Sequence, residues 1–192
     1  MKNPVDTIAV EDRHMPPFFT KIPLSIERGE GIYVWDESGR RYIDFTAGWG
    51  VTCLGHAHPV IAEALWDQGR KILQNPNSGL TYSPARARLI ALLTEILPPN
   101  LTRVFFSSSG AEANDAVIKL ARKATGRMDV VSTEQSFHGR TISTASATGQ
   151  AKHRERFNPL MPNYIFVPYG DAAAVAAVAR RAGRRSARSV QP

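Results

Sequence analysis

Hydrophobic positions near the amino terminus cluster in two short runs, residues 31–35 and 40–45. Both runs are rich in the aromatic and β-branched residues that favour strands. Between them, residues 36–39 are polar and end in glycine, as turns commonly do. This part of the chain is therefore predicted to form a β-hairpin.

Two helical patterns follow. Residues 58–73 repeat apolar side chains on one face, and Pro59 suits the first turn of a helix. A second pattern begins after Ser83, which can cap a helix, and ends at Pro98. The predicted apolar faces are Ile61, Leu65 and Ile72 in the first helix, and Leu89, Leu92, Leu93, Ile96 and Leu97 in the second.

Farther along, strands alternate with helices. Residues 103–107 predict a short strand that leads directly into a helix over residues 110–124, which Gly126 ends. Residues 129–133 and 164–167 predict two more buried strands. Such alternation is typical of a mainly parallel, doubly wound α/β sheet. The helix should face that sheet through Ala113, Ala116, Val117, Leu120 and Ala121.

The two ends of the chain depart from this pattern. Residues 1–17 hold three prolines and no sustained periodicity, which predicts an arm or loop. Residues 172–179 are compatible with a helix, but residues 180–192 offer almost no apolar side chain to bury. Five of the 24 basic and one of the 17 acidic residues lie in residues 171–192, so the rest of the chain carries +3 of the total +7. The basic excess thus belongs mainly to this tail.

Composition is that of a globular protein, with 192 residues of which 43% are hydrophobic. No apolar run reaches the roughly 20 residues that span a bilayer, and residues 1–4 lead into no signal-peptide stretch. The single cysteine, Cys53, can form no internal disulfide. We therefore expect a cytoplasmic protein. His56 and His58 lack further ligands nearby, so no metal site is predicted.

The most informative segment is residues 105–114, where a predicted strand passes through small residues into a helix. The first N–H groups of a helix are unpaired and bind phosphate, and Gly110 and Ala111 leave room for one. The same residues fit a capping box of Ser109 and Glu112, which needs no ligand. The segment is neither a Walker A loop nor a G-x-G-x-x-G fingerprint. Taken alone, it leaves both interpretations open.

A second motif, residues 136–141, follows the next predicted strand and should lie beside the first, where open α/β sheets bind ligands. Phe137 offers an aromatic face to a flat ring, and Arg140 can hold a carboxylate through two parallel hydrogen bonds. Separately, Phe137 could be a core residue and Arg140 part of a surface ion pair. Together the motifs indicate a flat, phosphorylated cofactor and an acidic substrate.

In combination these motifs resemble those of the class III (ornithine-type) aminotransferases. The resemblance covers about residues 18–170 and is closest to acetylornithine and succinylornithine aminotransferases. The segments that carry it, in order, are residues 33–36, 39–45, 55–59, 97–99, 103–122 and 137–140.

The resemblance implies an enzyme that uses pyridoxal 5′-phosphate (PLP) and moves an amino group from an acetylornithine-like ω-amino or acylated diamino acid to 2-oxoglutarate. It implies that Gly110 and Ala111 bind the PLP phosphate through their N–H groups and that Phe137 stacks on the pyridine ring. Arg140 matches the position that binds the substrate carboxylate. A homodimer is expected for the full-length family member, with neither nucleic acid nor membrane as partner.

It also implies a division of the chain. Residues 1–57 would be the amino-terminal arm and hairpin of the small domain. Residues 58–170 would be the amino-terminal part of the large domain of fold type I, with an incomplete, mainly parallel sheet. Residues 171–192 would be an arginine- and alanine-rich tail outside the family pattern.

The family's chemistry depends on a lysine that forms a Schiff base with PLP and an aspartate that keeps the pyridine nitrogen protonated. No residue of this sequence matches either. Lys152, the only lysine after the Phe137 motif, lies in a run that predicts an exposed basic turn. We interpret the chain as a truncated or frame-shifted amino-terminal fragment that is inactive in isolation. The alternatives are a non-catalytic PLP-binding or subunit-interaction remnant and, less favoured by the mildly basic body, a nucleic-acid-binding protein.

Overall fold

The structure is a computed structural model that describes residues 5–76 and 79–188, with side chains described as far as residue 181. The chain divides into two compact units, Met1–Ala91 and Leu92–Pro192. Its helices are α1 (Thr7–His14), α2 (Ala47–Gly50), α3 (Pro59–Lys71), α4 (Pro84–Ile96), α5 (Gly110–Thr125), α6 (Ile142–Ala147) and α7 (Ala172–Arg188), with 3-10 turns at Ala151–His153 and Glu155–Phe157. Its strands are β1 (Ile26–Glu30), β2 (Tyr33–Asp36), β3 (Arg41–Ile43), β4 (Val130–Thr133) and β5 (Tyr164–Val167).

The first unit contains a three-stranded antiparallel sheet in the order β1-β2-β3. Tyr33 pairs with Ile43 across β2 and β3, which confirms the predicted hairpin. Strand β1 was not expected, because its sequence has no strand-like run. It pairs with β2, where the guanidinium of Arg28 lies 3.7 Å from the centre of the Trp35 ring. A cation over an aromatic face contributes on the order of 1 kcal/mol at an exposed site.

The prediction of an arm or loop over residues 1–17 is wrong for α1. Asp6 accepts a hydrogen bond from the N–H of Ala9 at 3.0 Å and so caps this helix, while Arg13 and His14 suit its carboxyl end. These end signals do not depend on a hydrophobic period. A search for periodicity therefore misses such a short, exposed helix.

Helices α3 and α4 agree with the predicted spans to within two residues at either end. Ser83 accepts a hydrogen bond from the N–H of Arg86, as expected of a cap. The predicted apolar faces, however, are not buried by the described residues. Leu65 is 70% and Leu92 is 61% exposed.

In the second unit β4 and β5 pair in parallel, from Val130 opposite Tyr164 to Thr133 opposite Val167. This confirms two of the predicted strands and their direction. Residues 103–107, by contrast, form no strand. A strand requires hydrogen bonds to a neighbouring strand, and no described segment pairs with these residues.

Helix α5 begins and ends as predicted, with Gly126 in the left-handed conformation at its carboxyl end (φ 67°). The predicted face is wrong. Val117 and Leu120 are 63% and 67% exposed, whereas Ile118 is buried. The helix turns the side of Ile118, rather than the more apolar side, toward α6 and the segment before it.

Half of the buried side chains of the second unit are polar. Ser132 donates to the carbonyl of Ala147 at 2.6 Å, and Thr144 and Thr148 are fully buried. Because every one of these hydroxyls makes a hydrogen bond, its burial carries little penalty. Small side chains let the backbone approach closely, and a Cβ at Gly149 would overlap the Thr133 carbonyl oxygen.

Helix α7 extends beyond the predicted residues 172–179, as far as Arg188. Asp171 accepts from the N–H of Ala174 at 2.8 Å near its start, and alanine and arginine both favour helix. Residues 180–188 thus continue the helix although they have almost no apolar side chain to bury, and residues 189–192 lie outside the described chain. Among the described residues, no helix is both long and apolar enough to cross a membrane.

Candidate functional site

The amino terminus of α5 is capped from its own sequence. Ser109 lies in extended conformation, and its Oγ accepts the N–H of Glu112 at 3.2 Å. The carboxylate of Glu112 reaches back to the N–H of Ser108 at 2.6 Å rather than to that of Ser109. The arrangement is a capping box displaced by one residue, so the ligand-free interpretation of this segment is correct as far as it goes.

Capping leaves two backbone donors open. The carbonyl of Ser109 accepts the N–H of Ala113 at 3.0 Å, and the Glu112 N–H is taken by the Ser109 side chain. The N–H groups of Gly110 and Ala111 have no acceptor among the described residues. A Cβ placed on Gly110 would meet nothing within 4 Å. Both a cap and an anion site can therefore exist at one helix end.

The second motif packs directly on this helix end. Gly139 has a φ of +133°, and a Cβ there would lie 2.6 Å from the Cβ of Ala111 and 2.7 Å from the Oγ1 of Thr144. Only a residue without a side chain permits so close an approach. The structure thus brings the two sequence motifs together, in the carboxyl-terminal unit.

Two side chains hold the Phe137 turn, which comprises residues 136–141. The Oγ1 of Thr148 accepts the N–H of His138 at 3.0 Å. The side-chain amide of Asn114 donates to the carbonyl of His138 at 2.8 Å. Sequence reasoning missed both roles, since neither residue has a local signal beyond Asn114 lying in the first motif.

Phe137 presents a half-exposed ring, 53% accessible. The His153 ring meets it edge to face, with centroids 5.4 Å apart and planes at 73°. Such a contact limits the motion of the ring without covering all of it. Arg140 is exposed at the end of the same turn. Lys152 is also exposed, in the 3-10 turn Ala151–His153, which agrees with the setting predicted for it.

His56, one of the two histidines weighed as a metal ligand, is instead paired with a carboxylate in the amino-terminal unit. Its Nε2 lies 2.8 Å from the Oδ2 of Asp44. The hydrogen bonds from the Thr46 hydroxyl and from His56 lower the pKa of Asp44 from 3.8 to about 2. In the same unit, His56 forms an isolated antiparallel β-bridge with Gly31.

Known proteins are similar to most of the chain. The family model for class-III aminotransferases matches residues 15–191, a span that includes most of residues 171–192. An acetylornithine aminotransferase from Methanothermobacter thermautotrophicus is 43% identical over 171 residues, which are 89% of this chain and 43% of that protein.

Two solved structures extend the comparison. The ornithine aminotransferase of Toxoplasma gondii superposes with a TM-score of 0.82 at 24% identity, over 90% of this chain and 42% of that one. An ω-transaminase from Pseudomonas jessenii, solved in complex with PMP, gives a TM-score of 0.78 at 28% identity, over 85% and 39%. The chain spans about 43% of the length of the curated relative that it matches.

Proposed function

Because this chain belongs to the class III aminotransferase family, we propose that it forms the phosphate- and ring-binding part of a PLP site. The site would serve transamination of an acetylornithine-like donor with 2-oxoglutarate as acceptor. Enzymes of this class depend on PLP, and the expected fold, that of fold type I, is confirmed by the solved structures.

The residues present fit the cofactor. The open N–H groups of Gly110 and Ala111 point to a phosphate site, which the partial positive charge of the helix end favours. Phe137, on the turn packed against Ala111, would lie on one face of the pyridine ring. When bound, PLP supplies an electron sink for the bond changes of transamination. The observation that carries the proposal is that two open donors and a half-exposed aromatic ring lie on directly packed segments.

The Glu112 carboxylate does not contradict an anion site here. It is exposed and already accepts the N–H of Ser108, so its charge is directed to the loop before the helix. Arg140, at the end of the Phe137 turn, has the fork of donors that a carboxylate needs, and we assign it the substrate carboxylate. The 43% identity to an acetylornithine aminotransferase supports this class of donor. The exposed apolar faces of α3 and α4 are consistent with the homodimer that we propose for the assembled enzyme.

A second candidate, PLP binding without catalysis, is favoured by the lysines. Lys119, Lys123 and Lys152 are the lysines of the carboxyl-terminal unit, and all three are exposed. None has the buried setting expected of an amine that acts as a nucleophile. By itself, this chain would then hold the cofactor reversibly.

Titration with PLP, followed by absorbance and by the quenching of tryptophan fluorescence, tests the proposal. Phe137→Ala should weaken binding about tenfold, since it removes both ring stacking and apolar contact. Phe157→Ala is the matched control, because Phe157 lies in the same unit with a similar exposure of 56%. Equal effects of the two substitutions, or the absence of saturable binding by the wild-type chain, would refute the PLP site.

Borohydride reduction then separates the two candidate functions. Reduction of the PLP-loaded chain followed by peptide mapping should find no single modified lysine if binding is non-catalytic. A specific adduct at one lysine, together with turnover of acetylornithine and 2-oxoglutarate, would favour the aminotransferase over the binding remnant.

A further inference from the structure

Asn114 connects two segments that are 24 residues apart. Its side-chain Nδ2 donates to the carbonyl of His138 at 2.8 Å, from the second turn of α5 to the turn that carries Phe137. The N–H of His138 is held as well, because it donates to the Oγ1 of Thr148 at 3.0 Å. The peptide groups on either side of His138 are thus fixed from both directions.

The His138 side chain does not supply this anchoring. Its Nδ1 is buried and has no hydrogen-bond partner among the described residues. The turn is therefore held through its backbone and through the packing of Gly139 on Ala111. Removal of either backbone bond would leave fewer constraints on the adjacent Phe137.

Position on the helix explains why residue 114 can do this. Ala111 and Asn114 are three residues apart and so lie on the same face of α5. Gly139 packs closely against Ala111, and Asn114 donates to the carbonyl of His138, the residue before Gly139. Asparagine is a poor helix former, and its part-buried side chain gains nothing for α5 alone. Its amide serves the contact to the turn.

We propose that Asn114 is a positioning residue, whose amide fixes the Phe137 ring relative to the two open N–H groups at the start of α5. This inference rests on the proposed function, because it concerns the distance between the ring-binding and phosphate-binding parts of the same site. Asn114 does not itself contact the ligand. It acts through the His138 carbonyl and the backbone of the turn.

Asn114→Asp is the most direct variant. The two side chains have the same shape, but an ionised carboxylate cannot donate to the His138 carbonyl. A negative charge in the first half of α5 is acceptable to the helix dipole, so the helix itself should persist. Asn114→Ala removes the donor without adding charge, and serves if the aspartate variant fails to fold. Asn158→Asp is the matched control, since its amide donates to the Glu155 carbonyl at 2.9 Å elsewhere in the unit.

Hydrogen exchange followed by mass spectrometry tests the anchoring without any ligand. Peptides covering residues 136–141 should exchange about three- to tenfold faster in Asn114→Asp, as expected for the loss of one net hydrogen bond. Peptides from residues 115–124 should be unchanged. In Asn158→Asp the turn should exchange at the wild-type rate. An unchanged turn in both Asn114 variants would overturn the inference whether or not PLP binds.

A double-mutant cycle on PLP affinity tests the positioning itself. In the wild-type background Asn114→Ala, which adds no charge near the phosphate, should weaken PLP binding about three- to tenfold. In the Phe137→Ala background it should have almost no further effect, because there is no ring left to position. A general structural defect would instead weaken both backgrounds equally, and that additivity would overturn the inference.

The two proposals fail in distinguishable ways. If the wild-type chain binds PLP and Phe137→Ala weakens binding but Asn114→Ala does not, the PLP site stands and the positioning role is wrong. If the wild-type chain binds no PLP, the proposed function is wrong and the positioning role falls with it, even where exchange shows that Asn114 anchors the turn.

Discussion

Two turns in this chain are held by different kinds of side chain. In the amino-terminal unit, the carboxylate of Asp36 accepts the N–H groups of Ser38 and Arg40 at 3.0 and 2.9 Å, and the Tyr42 hydroxyl at 2.7 Å. In the carboxyl-terminal unit, the turn at residues 136–141 is held by the neutral side chains of Asn114 and Thr148. The first turn is held by a charged side chain, and the second is held by neutral side chains.

Burial accounts for the difference. Among the described residues of the amino-terminal unit no side chain is buried, so water still solvates a carboxylate there. Thr148, by contrast, is fully buried, where an ion without a partner would cost several kcal/mol. A neutral frame also places no buried negative charge beside the open N–H groups of α5. Neutral hydroxyl and amide supports are therefore compatible with the anion site that we propose at the start of α5.

The largest loss of stability should come from a substitution that fills the contact between the turn at residues 136–141 and α5. Gly139→Ala would place a Cβ 2.6 Å from that of Ala111, at a φ that L-residues rarely adopt. Strain and overpacking together should cost about 3 kcal/mol. Urea unfolding measures this as a lower midpoint with an unchanged slope.

Gly126→Ala is the control for that substitution. Gly126 also has a positive φ, of +67°, but a Cβ there would meet nothing within 4 Å. The loss should be limited to conformational strain, about 1–2 kcal/mol. If both alanine variants lost the same stability, the close packing of the turn on α5 would be wrong.

A smaller loss of stability should follow from replacing Thr148, one of the two neutral side chains that hold the turn. Thr148→Val keeps the shape of the side chain but removes the acceptor of the part-buried His138 N–H and the donor to the buried Thr144 carbonyl. Leaving these groups unpaired should cost about 2 kcal/mol, measured by urea unfolding.

Thr125 offers a matched comparison for Thr148. It also donates to a carbonyl four residues earlier, that of Ala121, and accepts an N–H, that of Arg127, but it is exposed. Thr125→Val should change stability by no more than about 0.5 kcal/mol, since water replaces the lost partner. Similar losses of stability in the two variants would mean that burial does not determine how much these hydrogen bonds contribute to stability.

The sequence predicts well what local signals determine. Helices α3, α4 and α5 have periodic apolar positions together with caps or stops such as Pro59, Ser83 and Gly126, and each appears where expected. Both motifs of the candidate site could be found as well, because small residues at a helix start and an aromatic followed by glycine have a direct physical meaning.

Long-range partners could not be predicted. Residues 103–107 have the composition of a strand, but no described segment pairs with them. Helix α5 has apolar residues on two sides, and only the tertiary structure decides that Ile118 rather than Leu120 is buried. For the same reason Asn114 and Thr148 are invisible in the sequence, since their partner His138 is 24 and 10 residues away. The domain boundaries at 57/58 and 170/171 stay predictions.

The smallest effect expected concerns pH, and it sharpens the contrast between the two turns. Hydrogen bonds from Ser38 and then Tyr42 lower the pKa of Asp36 from 3.8 to about 2. Because the folded state prefers the ionised form, this stabilisation is complete above about pH 4 and is lost as the pH falls toward 2. Hydrogen exchange, corrected for intrinsic rates, should therefore show the segment at residues 33–43 losing protection in that window. The turn at residues 136–141, which has no carboxylate support, should keep its protection.

Asp36→Asn should remove most of the pH dependence while lowering protection already at pH 7. If both segments lost protection together, acid would be unfolding the chain as a whole, and the distinction between a charged and a neutral turn would have no energetic consequence.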